Sequence, residues 1–180
     1  MCKRSIPLIT LTLAGMLGVS ACRDSGGEGE FFAVAGKLFV FNYRVATATY
    51  LVNLVPLQPV EDGQAAVASF EDPAGGEAIV VRTRIWPKMA KTTIESPPLR
   101  CIVKNRPYKV SITIEGPDGA VRQTIETTMT SSEDQNLLPD QPLVVGPVYT
   151  PNPELAGHPD GKLPNPDVPP CPTALPAARG

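Results

Sequence analysis

The stretch YKVSITIEGPDGAVRQTIETTM, residues 108–129, decides the fold class of this 180-residue chain. Apolar and polar side chains alternate over residues 108–115, and a period of two places the apolar set on one face of a β-strand. The turn Gly116-Pro-Asp-Gly119 follows, in which proline presets φ and the last glycine tolerates a positive φ. Because Val121, Ile125 and Met129 resume an apolar face, the stretch predicts an antiparallel hairpin.

Further strand-like stretches lie on both sides of this hairpin. They are residues 37–45, 50–55, 65–70, 78–86, 92–95, 99–104, 143–145 and 148–149, with the last two expected to close the sheet. No segment of ten or more residues has helical periodicity. Residues 31–150 are therefore expected to form an all-β domain, a single antiparallel β-sandwich of the immunoglobulin-like type, with a small closed barrel as the alternative.

The chain begins with a short basic segment containing Lys3 and Arg4, followed by fourteen mostly apolar residues, 6–19. A membrane span needs about 20 residues, so this run has the length of a signal-sequence core. It ends in Val19-Ser20-Ala21-Cys22, which resembles the lipobox of bacterial lipoproteins. The alternative is an ordinary cleaved signal sequence with a chance cysteine.

The lipobox resemblance implies cleavage between Ala21 and Cys22, diacylation of Cys22 with fatty acids such as palmitate, and acylation of the new amino terminus. The mature protein would then be held to a membrane by its lipid anchor. Arg23, and not aspartate, follows Cys22, which favours the outer membrane with the domain facing the periplasm. Residues 1–21 are thus predicted to be the signal peptide.

Residues 22–30 form a polar, glycine-rich tether on this interpretation, spanning on the order of 15 Å as a flexible coil. The tail, residues 151–180, contains nine prolines and is expected to be extended, either disordered or laid back along the domain. Cys101 and Cys171 are the cysteines left after processing, and an oxidising compartment favours a disulfide between them. Two unpaired thiols are the alternative.

Charge is unevenly distributed along the mature chain, which has 14 basic and 18 acidic residues and a net charge of −4. Residues 82–109 contain one acidic residue, Glu95, and eight basic ones: Arg82, Arg84, Lys88, Lys91, Arg100, Lys104, Arg106 and Lys109. Arg82, Arg84 and Trp86 are expected on one strand face, forming a basic strip for anionic lipid headgroups or an acidic protein. The alternative is a solvated outer face. Nucleic acid is disfavoured as a partner by the predicted compartment.

Groupings typical of catalysis are mostly missing from the sequence. His158 is the single histidine and lies in the proline-rich tail, a poor position for a preorganised base. The sequence has no nucleophile-elbow, phosphate-loop or zinc-protease motif. We therefore predict no catalytic residues, no metal site, no cofactor and no enzyme activity.

A second resemblance concerns the folded part of the chain. VAGKLFVFNYRV, residues 34–45, and PYKVSITI, residues 107–114, are similar to strands of small β-sandwich lipoproteins that include secretion-system pilotins. This resemblance implies a non-catalytic interaction or assembly module that docks an envelope protein. The alternative is a small-ligand or glycan-binding lipoprotein with Trp86 and Tyr108 as stacking platforms. A hydrolase that depends on His158 is a third hypothesis.

Overall fold

Antiparallel β-strands make up almost all the regular structure of the chain. The structure, a computed structural model, describes residues 29–166 and 168–172. The predicted signal sequence, its lipobox and Cys22 lie outside these residues. The strands are β1 (Phe32–Asn42), β2 (Thr47–Pro56), β3 (Ala65–Phe70), β4 (Ile79–Arg84), β5 (Thr92–Glu95), β6 (Pro107–Glu115), β7 (Val121–Thr130), β8 (Val144–Val145) and β9 (Thr150–Pro151).

These strands form two main antiparallel sheets and one small hairpin. The first sheet has the order β1-β2-β5, and the second has the order β4-β3-β6-β7. Among the described strands, β8 pairs only with β9. Outside the strands, the described residues contain three short 3-10 turns and no α-helix. No helix in this part of the chain is long and apolar enough to cross a membrane. The all-β prediction is confirmed.

The buried side chains of the two sheets belong to one hydrophobic cluster. On β2 the fully buried residues are Ala48, Tyr50, Val52 and Leu54, and on β6 they are Tyr108, Val110, Ile112 and Ile114. Every second residue is thus inward, as the pleat of a strand requires. The ring of Tyr50 stacks on Phe70 of the other sheet, with centroids 5.0 Å apart.

The predicted hairpin is confirmed as β6 and β7. Gly119 has a φ of 77°, and the N–H of Gly116 donates to the carbonyl of Ala120 at 2.8 Å, which closes the turn. The register shifts by one residue between Ile114 and Glu115. Val121 lies beyond this bulge and is 62% exposed, so it does not return to the apolar face as predicted.

One predicted strand is wrong, and so is the predicted closure of the sheet by residues 143–145 and 148–149. Residues 99–104 make only an isolated bridge between Leu99 and Ala48, and the positive φ of Cys101, 65°, turns the backbone out of an extended path. Residues 143–145 and 148–149 do not close a sheet. The turn from Gly146 to Tyr149 folds them into the separate β8–β9 hairpin, in which Val145 pairs with Thr150.

The strand registers define two ends of the domain. Phe32 pairs with Pro56 in the first sheet, and in the second Ala65 pairs with both Arg84 and Glu115. These positions lie at the same end of the two sheets, because the backbone N–H of Phe32 in the first sheet donates to the Gln123 amide oxygen in the second at 2.9 Å. We call this the tether end. The opposite end, on the order of 35 Å away along the eleven residues of β1, is called the disulfide end.

The disulfide between Cys101 and Cys171 is confirmed, with Cα atoms 5.4 Å apart. It fastens the tail, which makes further hydrogen bonds to the segment after β7. The N–H of Asp140 donates to the Gly161 carbonyl at 2.9 Å, and the Lys162 ammonium donates to the Leu138 carbonyl at 2.6 Å. The described part of the tail is therefore laid back along the domain.

Removal of the disulfide by Cys101→Ala with Cys171→Ala should lower the free energy of unfolding by about 4 kcal/mol. The reason is that the bond closes a loop with a sequence separation of 70 and restricts the unfolded chain. We expect Tm in thermal denaturation to fall on the order of 10 °C. The wild-type protein should show the same fall with reductant and the double variant none. Equal sensitivity of both proteins to reductant would contradict this account.

Candidate functional site

Strand β4 is the edge of the four-stranded sheet, and among the described strands it pairs with β3 alone. Its side chains alternate as the sequence predicts. Ile79, Val81 and Thr83 are half-buried, whereas Val80 (64% exposed), Arg82 and Arg84 point to solvent. We define the β4 surface as Val80, Arg82, Arg84 and Trp86.

Both arginines of the β4 surface have carboxylate partners. Arg82 forms an ion pair with Glu115 of β6, and the Arg84 guanidinium donates to Asp62 Oδ1 at 2.8 Å. The predicted basic strip is therefore present on one face of β4, but carboxylates compensate both of its charges. Exposed pairs of this kind contribute at most about 1 kcal/mol to stability, but they fix where the two guanidinium groups lie.

Trp86 follows the end of β4 and stays in contact with Arg84. The Arg84 guanidinium carbon lies 4.1 Å from the centre of the Trp86 ring, a cation–π contact, and Trp86 is 53% exposed. Asp62, Arg84 and Trp86 thus form one connected group in which a carboxylate holds the guanidinium and the guanidinium covers one region of the indole.

The pKa of the Asp62 carboxyl is held below its ordinary value. The main cause is the hydrogen bond from Arg84, followed by the positive charge of the same guanidinium. A depressed pKa keeps this carboxylate ionised over a wider range of acidity. The contact with Arg84 is therefore maintained through neutral and mildly acidic pH.

Tyr108 does not belong to this surface, which corrects the prediction that it is a stacking platform. It lies on the inward face of β6 and is fully buried, with its ring centre 5.6 Å from that of Phe39. Its hydroxyl accepts the N–H of Val103 at 2.7 Å, and the Arg106 guanidinium covers the ring at 4.5 Å. The reason is the alternation itself, since Tyr108 shares the parity of the buried Val110.

The basic residues between positions 82 and 109 do not form one patch, because the strands carry them to opposite ends of the domain. Arg84, Lys88 and Lys91 lie towards the tether end, and Arg106 and Lys109 lie at the disulfide end. Arg100 donates to the Pro169 carbonyl, and Arg106 pairs with Glu71 at 2.5 Å. The positive charge of this span is therefore divided between two surfaces.

Two features of the disulfide end are not predicted from the sequence. An open hollow of about 320 Å³ lies beside the disulfide and has no aromatic side chain in its lining. The tip of the β8–β9 hairpin exposes Val148 (77%) and Tyr149, whose ring lies 5.3 Å from the Arg44 guanidinium carbon. Tyr149 has a positive φ of 54°, and the sequence predicts it as strand because its side chain is of a strand-forming type.

His158 lies exposed in a turn of the tail, where its N–H donates to the Leu155 carbonyl at 2.8 Å. Among the residues that the structure describes, no three or more His, Cys, Asp or Glu side chains are grouped so as to hold a metal ion.

No protein-family model and no curated protein sequence matches the chain. Several solved structures are similar over part of it. A family 76 glycoside hydrolase from a bovine Bacteroides thetaiotaomicron strain has 14% identity over 56% of this chain and 20% of its own, with a TM-score of 0.36. The Bacteroides uniformis beta-glucuronidase has 13% identity over 59% of this chain and 13% of its own, with a TM-score of 0.38.

An endonuclease/exonuclease/phosphatase from Beutenbergia cavernae has 16% identity over 53% of this chain and 27% of its own, with a TM-score of 0.28. The chain thus corresponds to less than a third of the length of each of these proteins. Similarities of this size assign no activity to the chain.

The Asp62→Asn substitution should release Arg84 from its position over Trp86. In the wild-type protein this contact should persist above the ordinary pKa of an aspartate and be lost only as the pH falls through the depressed pKa of Asp62, because protonation removes the charge that holds the guanidinium. Trp86 is the single tryptophan of the chain, so its fluorescence during an acid titration reports the change.

In Asp62→Asn the emission should already resemble the acid form at neutral pH and should no longer titrate. The matched control is Asp118→Asn, which breaks an exposed pair with Arg122 (3.0 Å) that does not involve Trp86. An identical titration of Asp62→Asn and wild type would show that Asp62 does not position the stack.

Proposed function

We propose that this protein is a membrane-anchored, periplasm-facing lipoprotein of the bacterial cell envelope that acts as a non-catalytic interaction or assembly module. Its anchor is the lipidated Cys22, which holds the protein to the outer membrane with the folded domain facing the periplasm. The lipobox resemblance of Val19-Ser20-Ala21-Cys22 supports the anchor. The folded part supplies a surface for an envelope protein.

The two sheets are, on this proposal, the layers of a single immunoglobulin-like sandwich. Two observations support it. One hydrophobic cluster contains buried residues of both sheets, and aromatic rings of the two sheets meet directly, with Tyr50 against Phe70. In sandwiches of this class the strands at the sheet edges and the loops at the ends are the parts that bind partners.

The observation that carries the proposed function is the open side of β4. Edge strands invite pairing with another chain, and natural proteins restrict this with charged side chains. Here Arg82 and Arg84 are such charges, and each is fixed by a carboxylate from a neighbouring segment. A partner strand that adds to β4 would contact Val80 and the two fixed guanidinium groups of Arg82 and Arg84. These charges would make binding selective for a complementary partner as well as adding affinity.

The ligand-binding alternative loses one of its two platforms, because Tyr108 is buried. Trp86 remains exposed, but Arg84 already occupies part of its ring. The hollow beside the disulfide offers no aromatic surface on which a sugar could stack. The interaction module is therefore the function that the geometry supports best.

A photoactivatable amino acid at Val80 of the full chain, expressed in cells, should crosslink to a defined envelope protein. The same probe at Val121, an equally exposed valine on β7, is the matched control and should not capture that protein. Recovery of the same set of abundant membrane proteins from both positions would count against a docking role for β4.

The charge order on β4 can be tested without breaking an ion pair. The exchange Arg82→Glu with Glu115→Arg keeps opposite charges at the two positions that form the pair. It should leave Tm within a few degrees of wild type and abolish the Val80 crosslink if the partner recognises these charges. An undiminished crosslink would assign recognition to backbone pairing and Val80 alone.

The anchor has its own test. Cys22→Ser in the full-length chain should block lipidation, so the protein should no longer incorporate labelled palmitate or partition into detergent. Cys101→Ser is the control, because that cysteine is disulfide-bonded and its loss should leave lipidation intact. Palmitate labelling that survives Cys22→Ser would overturn the lipoprotein proposal.

A further inference from the structure

The loop between β4 and β5 is a continuous exposed segment at the tether end. Residues 86–91, Trp-Pro-Lys-Met-Ala-Lys, are all exposed, and the N–H of Met89 donates to the Trp86 carbonyl at 3.0 Å to form a turn. We call this segment the 86–91 loop. It crosses from the edge of one sheet to the edge of the other.

The composition of the 86–91 loop is that of a segment which meets a bilayer surface. Trp86 and Met89 expose 53% and 56% of their surface, and Lys88 and Lys91 supply positive charge. Tryptophan is favoured at the headgroup level, where its ring is partly apolar and its N–H is hydrated. Lysine stems pack on apolar surface while the ammonium reaches phosphate. The loop contains no carboxylate.

Neither lysine of the loop is used within the fold. In the part of the chain that the structure describes, Lys88 and Lys91 make no hydrogen bond or ion pair. The nearby Asp62 is paired with Arg84. Glu61 and Glu30 also lie at the tether end and oppose an anionic surface. Because the attraction comes from the charges of Lys88 and Lys91, binding through this loop should weaken as salt rises.

The loop lies at the same end as the point where the chain enters the domain. The N–H of Ile85 donates to the Gln64 carbonyl at 3.0 Å, and Thr92 pairs with Leu54, which pairs in turn with Val34 near the start of β1. Eight residues, 23–30, separate Cys22 from Phe31. Eight residues span at most about 30 Å in any conformation.

From this placement we propose that the 86–91 loop binds the headgroup layer of an anionic phospholipid bilayer, with Trp86 and Met89 at the interface and Lys88 and Lys91 on lipid phosphates. The inference rests on the proposed lipid anchor at Cys22. It adds a second attachment point to the membrane and thereby an orientation, with the tether end down and the disulfide end about one strand length away from the bilayer.

A weak contact is sufficient for this role. Each lysine near an anionic surface strengthens binding roughly fivefold, which would hold a free protein only transiently. A short tether changes this, because it keeps the loop at an effective concentration near the millimolar range beside the lipid. The tether would therefore raise the fraction of time that the loop rests on the bilayer, and this arrangement would leave β4 accessible to a partner from the side.

The test uses the full lipoprotein reconstituted into vesicles, with Trp86, the single tryptophan, as the probe. In vesicles of phosphatidylethanolamine and phosphatidylglycerol, its emission should shift to the blue and be quenched by lipids brominated near the headgroup end of the acyl chain. In phosphatidylcholine vesicles, both effects should be smaller. Trp86 that stays accessible to aqueous iodide and insensitive to brominated lipid overturns the proposal.

Two variants sharpen the assignment. Lys88→Gln with Lys91→Gln should reduce the fraction of Trp86 quenched by brominated lipid several-fold in anionic vesicles. Lys104→Gln, an exposed lysine at the disulfide end, should leave it unchanged. Equal quenching in all three proteins would show that the lysines do not seat the loop and would overturn their part in the proposal.

Failure of the anchor is distinguishable from failure of the loop contact. Mass spectrometry of the amino-terminal peptide reports whether Cys22 carries acyl chains. If it does and Trp86 remains in water, the loop inference fails and the anchor stands. If acyl chains are absent, the anchor proposal fails, and a large excess of anionic vesicles, enough to populate the weak contact of an untethered loop, tests the loop in the same protein. Shielding of Trp86 only after envelope proteins are added would assign the loop to a protein partner and overturn the lipid contact.

Discussion

The structure depends on the aromatic contact between the two sheets. Tyr50 stacks on Phe70, and Tyr108 meets Tyr50 edge to face with centroids 6.1 Å apart. Two phenols can be buried here only because their hydroxyls are satisfied: Tyr50 donates to the Glu71 carbonyl and Tyr108 accepts from Val103. Burial raises the pKa of Tyr50 well above its ordinary value, so this hydroxyl remains a donor.

That contact extends to the disulfide end through a chain of polar partners. The Glu71 carboxylate forms an ion pair with the Arg106 guanidinium at 2.5 Å, and this guanidinium lies over the ring of Tyr108. Tyr108 in turn fixes the N–H of Val103, two residues from Cys101. The segment that fails to become a strand, residues 99–104, is thus held by side chains and by its bond to Cys171, and its backbone does not need a sheet neighbour.

Period-two patterning was sufficient to predict β3 and β5 at their observed bounds, as well as the hairpin, because these elements are local. The same pattern places Tyr108 on the inward face with Val110, so its position in the strand decides its role more than its aromatic type does. The carboxylate partners of Arg82 and Arg84 could not be predicted from the sequence pattern. Arg82 and Glu115 are 33 residues apart and Arg84 and Asp62 are 22 apart, and only the sheet order brings them together.

The same limitation explains why the charge of a sequence span is a poor guide to surface potential. At the disulfide end three cations have structural partners: Arg106 is paired with Glu71, Arg100 with the Pro169 carbonyl, and Lys162 with carbonyls after β7. At the tether end Arg84 is paired with Asp62, whereas Lys88 and Lys91 of the 86–91 loop have no partner among the described residues. A field that acts on a partner comes from charges that the fold has not already compensated. On the proposed membrane contact, the two uncompensated lysines beside the exposed Trp86 would therefore contribute more to binding than the total of eight basic residues along the sequence suggests.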